Sequence, residues 1–362
     1  MPEKFNTTIL VAPLDWGLGH ATRCIPIIRH LLNLGCTVLI ASSGAQYQLL
    51  ATEFPQLTIL DVPNYNISYS KSKRWFSFKI LLQVPKVLRA IYIEKTWVSN
   101  LLKKNKIDAI ISDNRYGFRH KSVRSVIFTH QLQIKTPRLF RRLALLATYN
   151  LVNQFSECWV PDFVDVPNLA GKLSHPSTMP KLPVRYLGAI SRLSLVDAGS
   201  LVYDILIIIS GPEPQRSMLE TKLLDELAGF YGKVLFVRGL PGNQGQLPAF
   251  NNVHIVNHLP AASLNAALQA SGYVISRSGY TTVMDLVALK SKAILIPTPG
   301  QTEQEYLAKH LHEQRWFCTV SQAEFNLAEA MKIADQFPFM IPDMDMNLYK
   351  EELTDFVRSL NQ

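Results

Sequence analysis

The sequence predicts an α/β protein built from two parallel-sheet domains, and three observations lead to this expectation. Its 362 residues exceed the size at which a single hydrophobic core usually stops growing. Short runs of aliphatic and β-branched residues alternate with segments of helical spacing, which is typical of a parallel sheet covered on both faces. The alternation stops once, at a proline-rich stretch, and then begins again. An apolar content of 48% is sufficient for two cores.

The first series of elements runs to about residue 152. Strands are predicted at Thr7–Leu14, Cys36–Ala41, Leu57–Val62, Asp108–Ser112 and Ser125–Thr129. Helices are predicted at Thr22–Leu34, which Gly35 closes, at Ala45–Phe54, within Trp75–Asn105, where Pro85 kinks or splits the pattern, and at Pro137–Val152.

Residues 163–202 contain several prolines with serine and glycine, and this composition indicates a domain boundary or crossing linker. A second series follows, with strands at Tyr203–Ser210, Lys233–Arg238, Val253–Val256, Tyr273–Ser276 and Ala293–Pro297. Its helices are predicted at Pro214–Phe230, Ala262–Ala270, Thr281–Leu289, Thr302–His312 and Asn347–Leu360. We therefore expect domains at residues 1–190 and 191–345, and a terminal helix within 346–362 for which a return to the first domain is one option.

The net charge of +9 is unevenly distributed. Residues 1–192 carry 25 basic and 10 acidic side chains, whereas the remainder of the chain has an acidic excess of 6. Most of the basic excess lies between Lys71 and Arg142, so an anionic partner is expected for the first domain. The four cysteines are scattered, which favours reduced thiols in a cytoplasmic protein over disulfides or a zinc site. Neither a signal peptide nor a membrane-spanning run is predicted.

A glycine turn follows the first predicted strand, at Asp15–His20. In a doubly wound sheet ligands bind at such strand ends, where glycines let the backbone approach an anion. A tight turn without a ligand is the competing interpretation. A P-loop is excluded because no Gly-Lys-Ser/Thr follows, and a dinucleotide site is disfavoured because the second strand ends without an acidic residue.

The second half repeats this arrangement. Gly211 follows a strand and precedes a helix, and Arg277 follows another strand in a segment that continues through Ser278 and Gly279 to Asp285. A helix N-terminus with an arginine suits a diphosphate, and a carboxylate about one turn further suits ribose hydroxyls. Compensation of the helix dipole is the alternative role for Asp285. The amides and carboxylates of residues 301–305 suit sugar hydroxyls, or a solvated helix start.

These motifs resemble the GT-B nucleotide-sugar glycosyltransferases, specifically the MurG-like group with a family 28 C-terminal domain. The resemblance is strongest over Ile275–Ala308 and extends to the Gly17–His20 turn and to His130-Gln131. It implies two Rossmann-like domains that face each other across a cleft, a donor UDP-sugar held by the second domain, an acceptor held by the first, and inverting transfer. His20 stands where related transferases place the catalytic base or a diphosphate contact.

The resemblance also implies the remaining site residues. Donor binding is expected from Gly17, Gly19, Gly211, His258, Leu259, Arg277, Ser278, Gly279, Asp285, Gln301, Gln304 and Glu305. Acceptor binding is expected from Asn114, Arg115, His130 and Gln131. The chain departs from the family at Arg23, where a proline is usual, and at Asp285, where glutamate is usual. Because of these departures, the sequence supports the family's acceptor less strongly than its transferase chemistry. Asp343-Met344-Asp345 is interpreted as a helix start, so no metal is expected.

The basic window alternates cations with aromatic and aliphatic residues. We expect a patch that rests on an anionic membrane, formed by Lys73, Arg74, Trp75, Phe76, Arg138, Arg141 and Arg142. A core-facing helix with a solvated basic side is the competing interpretation, and nucleic-acid binding is less favoured.

The predicted function is metal-independent inverting transfer of N-acetylglucosamine or a related hexose from a UDP-sugar to a glycolipid or lipid-linked acceptor. The enzyme is expected to work at the inner face of the membrane, as a peripheral cytoplasmic protein without a cofactor. A UDP-sugar epimerase or hydrolase on the same fold is one alternative, and a non-catalytic anion-binding module is another.

Overall fold

The computed structural model describes residues 5–64, 83–133, 141–196, 200–241 and 250–362, which form two α/β units. The first unit comprises the described residues within Met1–Ser68, Phe78–Ile190 and Asp345–Gln362, and the second those within Ser191–Met344. Each unit has its own parallel sheet and its own buried aliphatic core, as the two series of apolar strands predict.

The sheet of the first unit has seven strands in the order β3-β2-β1-β4-β5-β6-β7, all parallel. Their bounds are β1 Thr8–Pro13, β2 Thr37–Ser42, β3 Ile59–Asp61, β4 Ala109–Asp113, β5 Arg124–Phe128, β6 Glu157–Val160 and β7 Val184–Tyr186. The central strands are buried on both faces because helices cover the sheet. These helices are α1 Leu18–Asn33, α2 Gly44–Glu53, α3 Val84–Leu102 and α4 Arg141–Val152, and a short 3-10 turn spans Gly171–Leu173.

The second unit has a six-stranded parallel sheet in the order β10-β9-β8-β11-β12-β13. Its strands are β8 Tyr203–Ile208, β9 Val234–Val237, β10 Val253–Val256, β11 Ser271–Ser276, β12 Ala293–Leu295 and β13 Cys318–Thr319. Its helices are α5 Gln215–Leu227, α6 Ala261–Gln269, α7 Tyr280–Ala288, α8 Thr302–Glu313 and α9 Leu327–Gln336.

The last helix, α10 (Leu348–Leu360), belongs to the first unit, where it packs against α1. Phe356 is buried and meets the ring of Trp159 edge-on, with 4.9 Å between the ring centroids. The Arg124 guanidinium lies 4.9 Å from the centroid of the same Phe356 ring. Aromatic packing and a cation–π contact therefore attach this helix to the edge of the first sheet.

In the first unit, the structure differs from the sequence-based expectation at the start of α1 and at strands β6 and β7. Helix α1 begins at Leu18 and not at Thr22, because Gly17 adopts a left-handed φ of 75° and acts as the N-cap. Residues 163–202 are not simply a linker, since they contain β7, which pairs with β6. Strand β6 was not predicted either; with four and three residues, β6 and β7 are too short to show the apolar run that predicts a central strand. Strand β13 and helix α9 were likewise not predicted. Among the described helices, none has the length and apolar character needed to cross a bilayer.

Candidate active site

A histidine and an aspartate meet at the carboxyl edge of the first sheet. The strand order reverses between β1 and β4, and ligands of open α/β sheets bind beside such a point. His20 lies in the first turn of α1, which follows β1, and Asp113 is the last residue of β4. His20 Nδ1 is 3.1 Å from Asp113 Oδ1. The Asp113 side chain is fully buried, whereas 16% of the His20 side chain is exposed.

Arg23 joins this pair to a second histidine. It lies one turn after His20 on the same face of α1, and it is almost fully buried. Its Nε donates to Asp113 Oδ2 at 2.8 Å, and its Nη2 donates to Asp113 Oδ1. Its Nη1 lies 3.0 Å from Nδ1 of His130, in the loop after β5. The guanidinium also lies 5.0 Å from the ring centroid of Phe128.

The charges of this cluster determine where its protons lie. Burial alone would raise the pKa of Asp113, but the positive charge of Arg23 and the contact with His20 outweigh it and lower the pKa to about 2. Asp113 is therefore a carboxylate at neutral pH. A hydrogen bond to a charged acceptor is stronger than one to a neutral acceptor, which favours the tautomer of His20 whose Nδ1–H donates to Asp113. Its Nε2 then carries the lone pair.

The sequence-based reasoning missed Asp113 as a site residue. It named His20 and His130, and it noted Arg23 only as a departure from the family. The signal was an acidic residue at the end of an otherwise apolar strand, but its partners Arg23 and His20 lie 90 and 93 positions away in the sequence. The contact depends on β4 lying next to β1, which residue spacing alone does not reveal.

The other predicted acceptor residues lie beside this cluster. Asn114 follows Asp113 with a left-handed φ of 55°. Arg115 is fully buried, where its Nη1 donates to Glu94 at 2.8 Å and its Nε to the carbonyl of Pro13 at 2.8 Å. Arg115 thereby connects α3 to the end of β1. The backbone amide of Gln131 donates to Thr129 Oγ1. The roles of Asn114, Arg115, His130 and Gln131 towards an acceptor stay predictions.

The predicted donor glycines Gly17, Gly19 and Gly211 lie where a strand leads into the following helix. Gly17 is the left-handed N-cap of α1, and its carbonyl accepts a hydrogen bond from Gln46 Nε2. Gly19 lies inside the first turn, where its carbonyl accepts from Thr22 Oγ1. Gly211, with a φ of 110°, follows β8 in the second unit. The nearby Glu213 does not present a free carboxylate, because its Oε1 accepts from Arg216 Nε at 2.6 Å.

Arg277 lies beneath two loops of the second unit and not at the surface. It is fully buried, and its guanidinium donates to the backbone carbonyls of Ile296, Pro297 and Gln215. Burial lowers its pKa to about 10, so it remains charged at neutral pH. Arg277 therefore ties the turn before α7 to the loop after β12 and to the start of α5. A direct contact between Arg277 and a diphosphate stays a prediction.

The loop after β12 is held by the side chains that were predicted to bind the sugar. Gln304 Oε1 accepts from the amide of Thr298, and Gln304 Nε2 donates to Gln301 Oε1. Glu305 Oε1 accepts from the amide of Gly300. Ser278 precedes the N-cap of α7. Gly279 is the N-cap, and the Ser278 hydroxyl donates to the carbonyl of Gln304 at 2.9 Å.

Asp285 lies in the second turn of α7, which is too far along the helix for dipole compensation at the first turn. Its Oδ1 accepts from the Ser191 hydroxyl at 2.6 Å. Burial raises its pKa to about 6, although Arg192 and Ser191 oppose the rise. Since this value exceeds the ordinary 3.8, Asp285 lowers the folding stability as the pH rises from about 4 to 6.

The remaining predicted residues divide between described and undescribed parts of the chain. His258 and Leu259 are half-buried in the turn before α6. Within the described residues, no group of three potential metal ligands occurs. Asp343 pairs with Lys290, and Asp345 accepts from the amide of Asn347 just before α10.

The predicted membrane patch is described only in part. Arg141 begins α4, and Arg142 is exposed. The residues outside the described part of the chain are Lys73, Arg74, Trp75, Phe76 and Arg138.

Comparisons with known proteins identify the fold. Residues 239–351 match the model of the glycosyltransferase family 28 C-terminal domain. Three solved structures are similar over nearly the whole chain. Arabidopsis thaliana UGT89C1, complexed with UDP-L-rhamnose, has 12% identity and a TM-score of 0.61, covering 98% of this chain and 94% of its own. The glycosyltransferase SnogD from Streptomyces nogalater has 15% identity and a TM-score of 0.58, with coverages of 99% and 96%.

Acinetobacter baumannii MurG is similar at 14% identity and a TM-score of 0.54, covering 98% of this chain and 99% of its own. No curated protein sequence matches the chain. The chain has the two-domain, Rossmann-like GT-B fold, as its sequence predicted. That fold and the matched domain support glycosyltransferase as the class of enzyme.

The buried Arg23–Asp113 pair gives a first testable prediction. Asp113→Leu leaves the Arg23 charge buried without its carboxylate, and we expect a loss of about 3–5 kcal/mol in the free energy of unfolding. The double variant Arg23→Met with Asp113→Leu should be more stable than Asp113→Leu, because it leaves no buried charge. Urea unfolding followed by circular dichroism measures both. Asp355→Leu, which breaks an exposed pair with Arg358, is the control and should cost less than about 1 kcal/mol. Equal stability of Asp113→Leu and the unmodified protein would contradict the prediction.

Proposed function

We propose that the protein transfers a hexose from a UDP-sugar to an acceptor hydroxyl with inversion at the anomeric carbon. The observation that carries this proposal is the His20–Asp113 pair, at the carboxyl edge of the sheet in the first unit. Support for the donor comes from the family 28 domain match within the second unit. The MurG-like motifs favour N-acetylglucosamine or a related hexose as the transferred sugar.

The His20–Asp113 pair suits general base catalysis. Asp113 accepts Nδ1–H and fixes the tautomer, so Nε2 of His20 takes the proton from the acceptor hydroxyl. The hydroxyl oxygen then bonds to the anomeric carbon, and the bond from that carbon to the diphosphate oxygen breaks. UDP leaves with the electron pair, and a single displacement inverts the configuration. The buried carboxylate stabilises the imidazolium that forms, as a positioned aspartate does in other histidine-based sites.

The second unit suits the donor. Helices α5, α7 and α8 begin directly after strands of its sheet, and their N-termini direct amides and a partial positive charge towards an anion. We propose that Gly211, Ser278 and Gly279 approach the diphosphate, and that Asp285 binds the ribose hydroxyls. Arg277 acts by holding the loops at these helix starts. In this proposal helix N-termini stabilise the leaving diphosphate, and no metal is required.

The acceptor is proposed to be a glycolipid or lipid-linked molecule at an anionic membrane surface. Helix α4 exposes Leu143 and Leu146, each 68% accessible, beside the exposed Arg142. Helix α3 exposes Val84, Leu88 and Tyr92 at successive turns, with Lys86 and Arg89 nearby in the sequence. Exposed apolar and basic side chains on one helix suit a headgroup interface. The proposed location is the cytoplasmic face of the membrane.

The role of His20 is tested by His20→Ala. We expect transfer to fall by about 10²–10⁴-fold, because the general base is lost, while the affinity for UDP stays within about twofold. Radiolabelled donor turnover and calorimetric titration with UDP measure the two quantities. His120→Ala, which removes a first-unit histidine bonded only locally to Ser122, is the matched control. If transfer survives in His20→Ala, the base lies elsewhere, and if UDP release ignores added acceptor, the enzyme is a hydrolase.

Asp285 predicts a pH dependence of donor binding. An ionised carboxylate accepts two hydroxyl protons, whereas the protonated form is a weaker acceptor. With a pKa of about 6, UDP affinity should fall about tenfold between pH 7 and pH 5. Asp285→Asn should bind UDP more weakly at pH 7 and lose this dependence, whereas the exposed Asp225→Asn should keep it. Calorimetric titration across this range checks the prediction, and an unchanged profile in Asp285→Asn would assign the ribose contact elsewhere.

The membrane proposal predicts a loss of vesicle binding when α4 becomes acidic. Leu143→Glu with Leu146→Glu removes two exposed apolar side chains and adds two negative charges, so flotation with phosphatidylglycerol vesicles should fall at least about tenfold. Met218→Glu with Tyr231→Glu adds the same charge at exposed positions of the second unit and serves as the control. Equal flotation of the two double variants would argue against this surface.

A further inference from the structure

Arg23 contacts three ionisable side chains: Nη1 approaches His130, whereas Nη2 approaches both Asp113 and His20. Nε and Nη2 reach the carboxylate of Asp113, and Nη1 reaches Nδ1 of His130. Nη2 also lies 3.0 Å from Nδ1 of His20, because Arg23 and His20 approach the same oxygen of Asp113. One buried guanidinium therefore connects the proposed base to a histidine on a different strand end.

The chemistry of arginine fixes the proton of His130. A guanidinium has five N–H donors and no acceptor, and it stays charged inside proteins. Nδ1 of His130 must therefore accept the hydrogen bond from Nη1, so this nitrogen carries no proton. His130 is held neutral, with its proton on Nε2. If His130 were an imidazolium, its Nδ1–H would face an N–H of Arg23, and two positive charges would be buried side by side.

In His20 the other ring nitrogen, Nδ1, carries the proton. Its Nδ1 lies beside the ionised oxygen that Arg23 also approaches, so Nδ1–H donates to Asp113 and Nε2 keeps its lone pair. Arg23 maintains this arrangement in two ways. It keeps Asp113 ionised despite full burial, and its two bonds to the carboxylate fix the orientation of the oxygen that His20 contacts.

We propose that Arg23 is a positioning residue that fixes His20 and His130 in opposite tautomers, with the His20 proton on Nδ1 and the His130 proton on Nε2. The inference deepens the proposed function, on which its kinetic consequence rests. Arg23 supplies no atom to the reaction. It acts through Asp113 on the base and through His130 on the loop after β5, so one side chain sets the protonation of both imidazoles.

The tautomers are measured directly by nitrogen NMR of the full chain labelled with ¹⁵N-histidine, without any substrate. Resonances of His20 and His130 are assigned by their loss in His20→Gln and His130→Gln. We expect the unmodified protein to show the Nδ1–H form at His20 and the Nε2–H form at His130. An Nδ1–H form or an imidazolium at His130, at neutral pH, would overturn the proposal.

Arg23→Lys separates positioning from folding. A single ammonium nitrogen keeps the charge next to Asp113 but does not reproduce the separate guanidinium edges that reach Asp113 and His130. We expect His130 to become a mixture of tautomers, while thermal unfolding and circular dichroism remain close to those of the unmodified protein. Arg29→Lys, on the exposed side of the same helix and paired with Glu53, should leave both histidines unchanged. Arg23→Gln is the second variant if lysine does not fold, with the same expected change at His130. Unchanged histidine spectra in a folded Arg23 variant would refute the positioning role.

Kinetics provide the second readout. In Arg23→Lys the kcat for transfer should fall about tenfold or more, while the donor KM stays within about twofold, because the proposed donor site lies in the second unit. A changed donor KM with constant kcat would count against the inference. If the unmodified protein shows no transfer, the proposed function fails, whereas the tautomer measurement still decides the role of Arg23.

Discussion

The buried contact between Arg23 and Asp113 is the constraint on which the first unit's site depends. Both side chains lie at the carboxyl edge of the sheet, and neither charge is tolerable there without the other. Their positions require α1 to begin at Leu18, which brings residues 20 and 23 onto the face towards β4. The left-handed Gly17 makes this early start possible. The turn at Gly17, the register of α1 and the pairing of β4 with β1 together bring Arg23 and Asp113 into contact.

The second unit uses the same topology with different chemistry. Two of its buried arginines, Arg277 and Arg216, are bonded within the unit, Arg277 to backbone carbonyls and Arg216 to Glu213 and Glu220. They set the shape of the loops, whereas helix N-termini and backbone amides remain suited to an anion. The proposed nucleotide site can therefore lie in the half of the chain with an acidic excess, because helix N-termini attract an anion locally.

The sequence predicted those parts of the molecule that depend on local pattern. Apolar strands separated by amphipathic helices predicted the fold class, and Gly17 and Gly211 lie, as expected, between a strand and the helix that follows it. Asp113 was missed because its partners are brought together only by strand order. Ser191 and Arg192 were missed because they precede the second series of elements and reach Asp285 only through folding. Strands β6 and β7 were missed because strands of four and three residues are too short to show a distinctive periodicity.

The return of α10 to the first unit has a consequence for how the chain acquires its structure. The helix packs on α1, the same helix that carries His20 and Arg23, and on Trp159 of β6. During synthesis the ribosome must therefore complete all of Ser191–Met344 before the segment that covers α1 emerges. All residues of the second unit's sheet are therefore synthesised before the last helix of the first unit. N-terminal domains usually fold first on the ribosome, but here completion of the first unit must follow translation of the second.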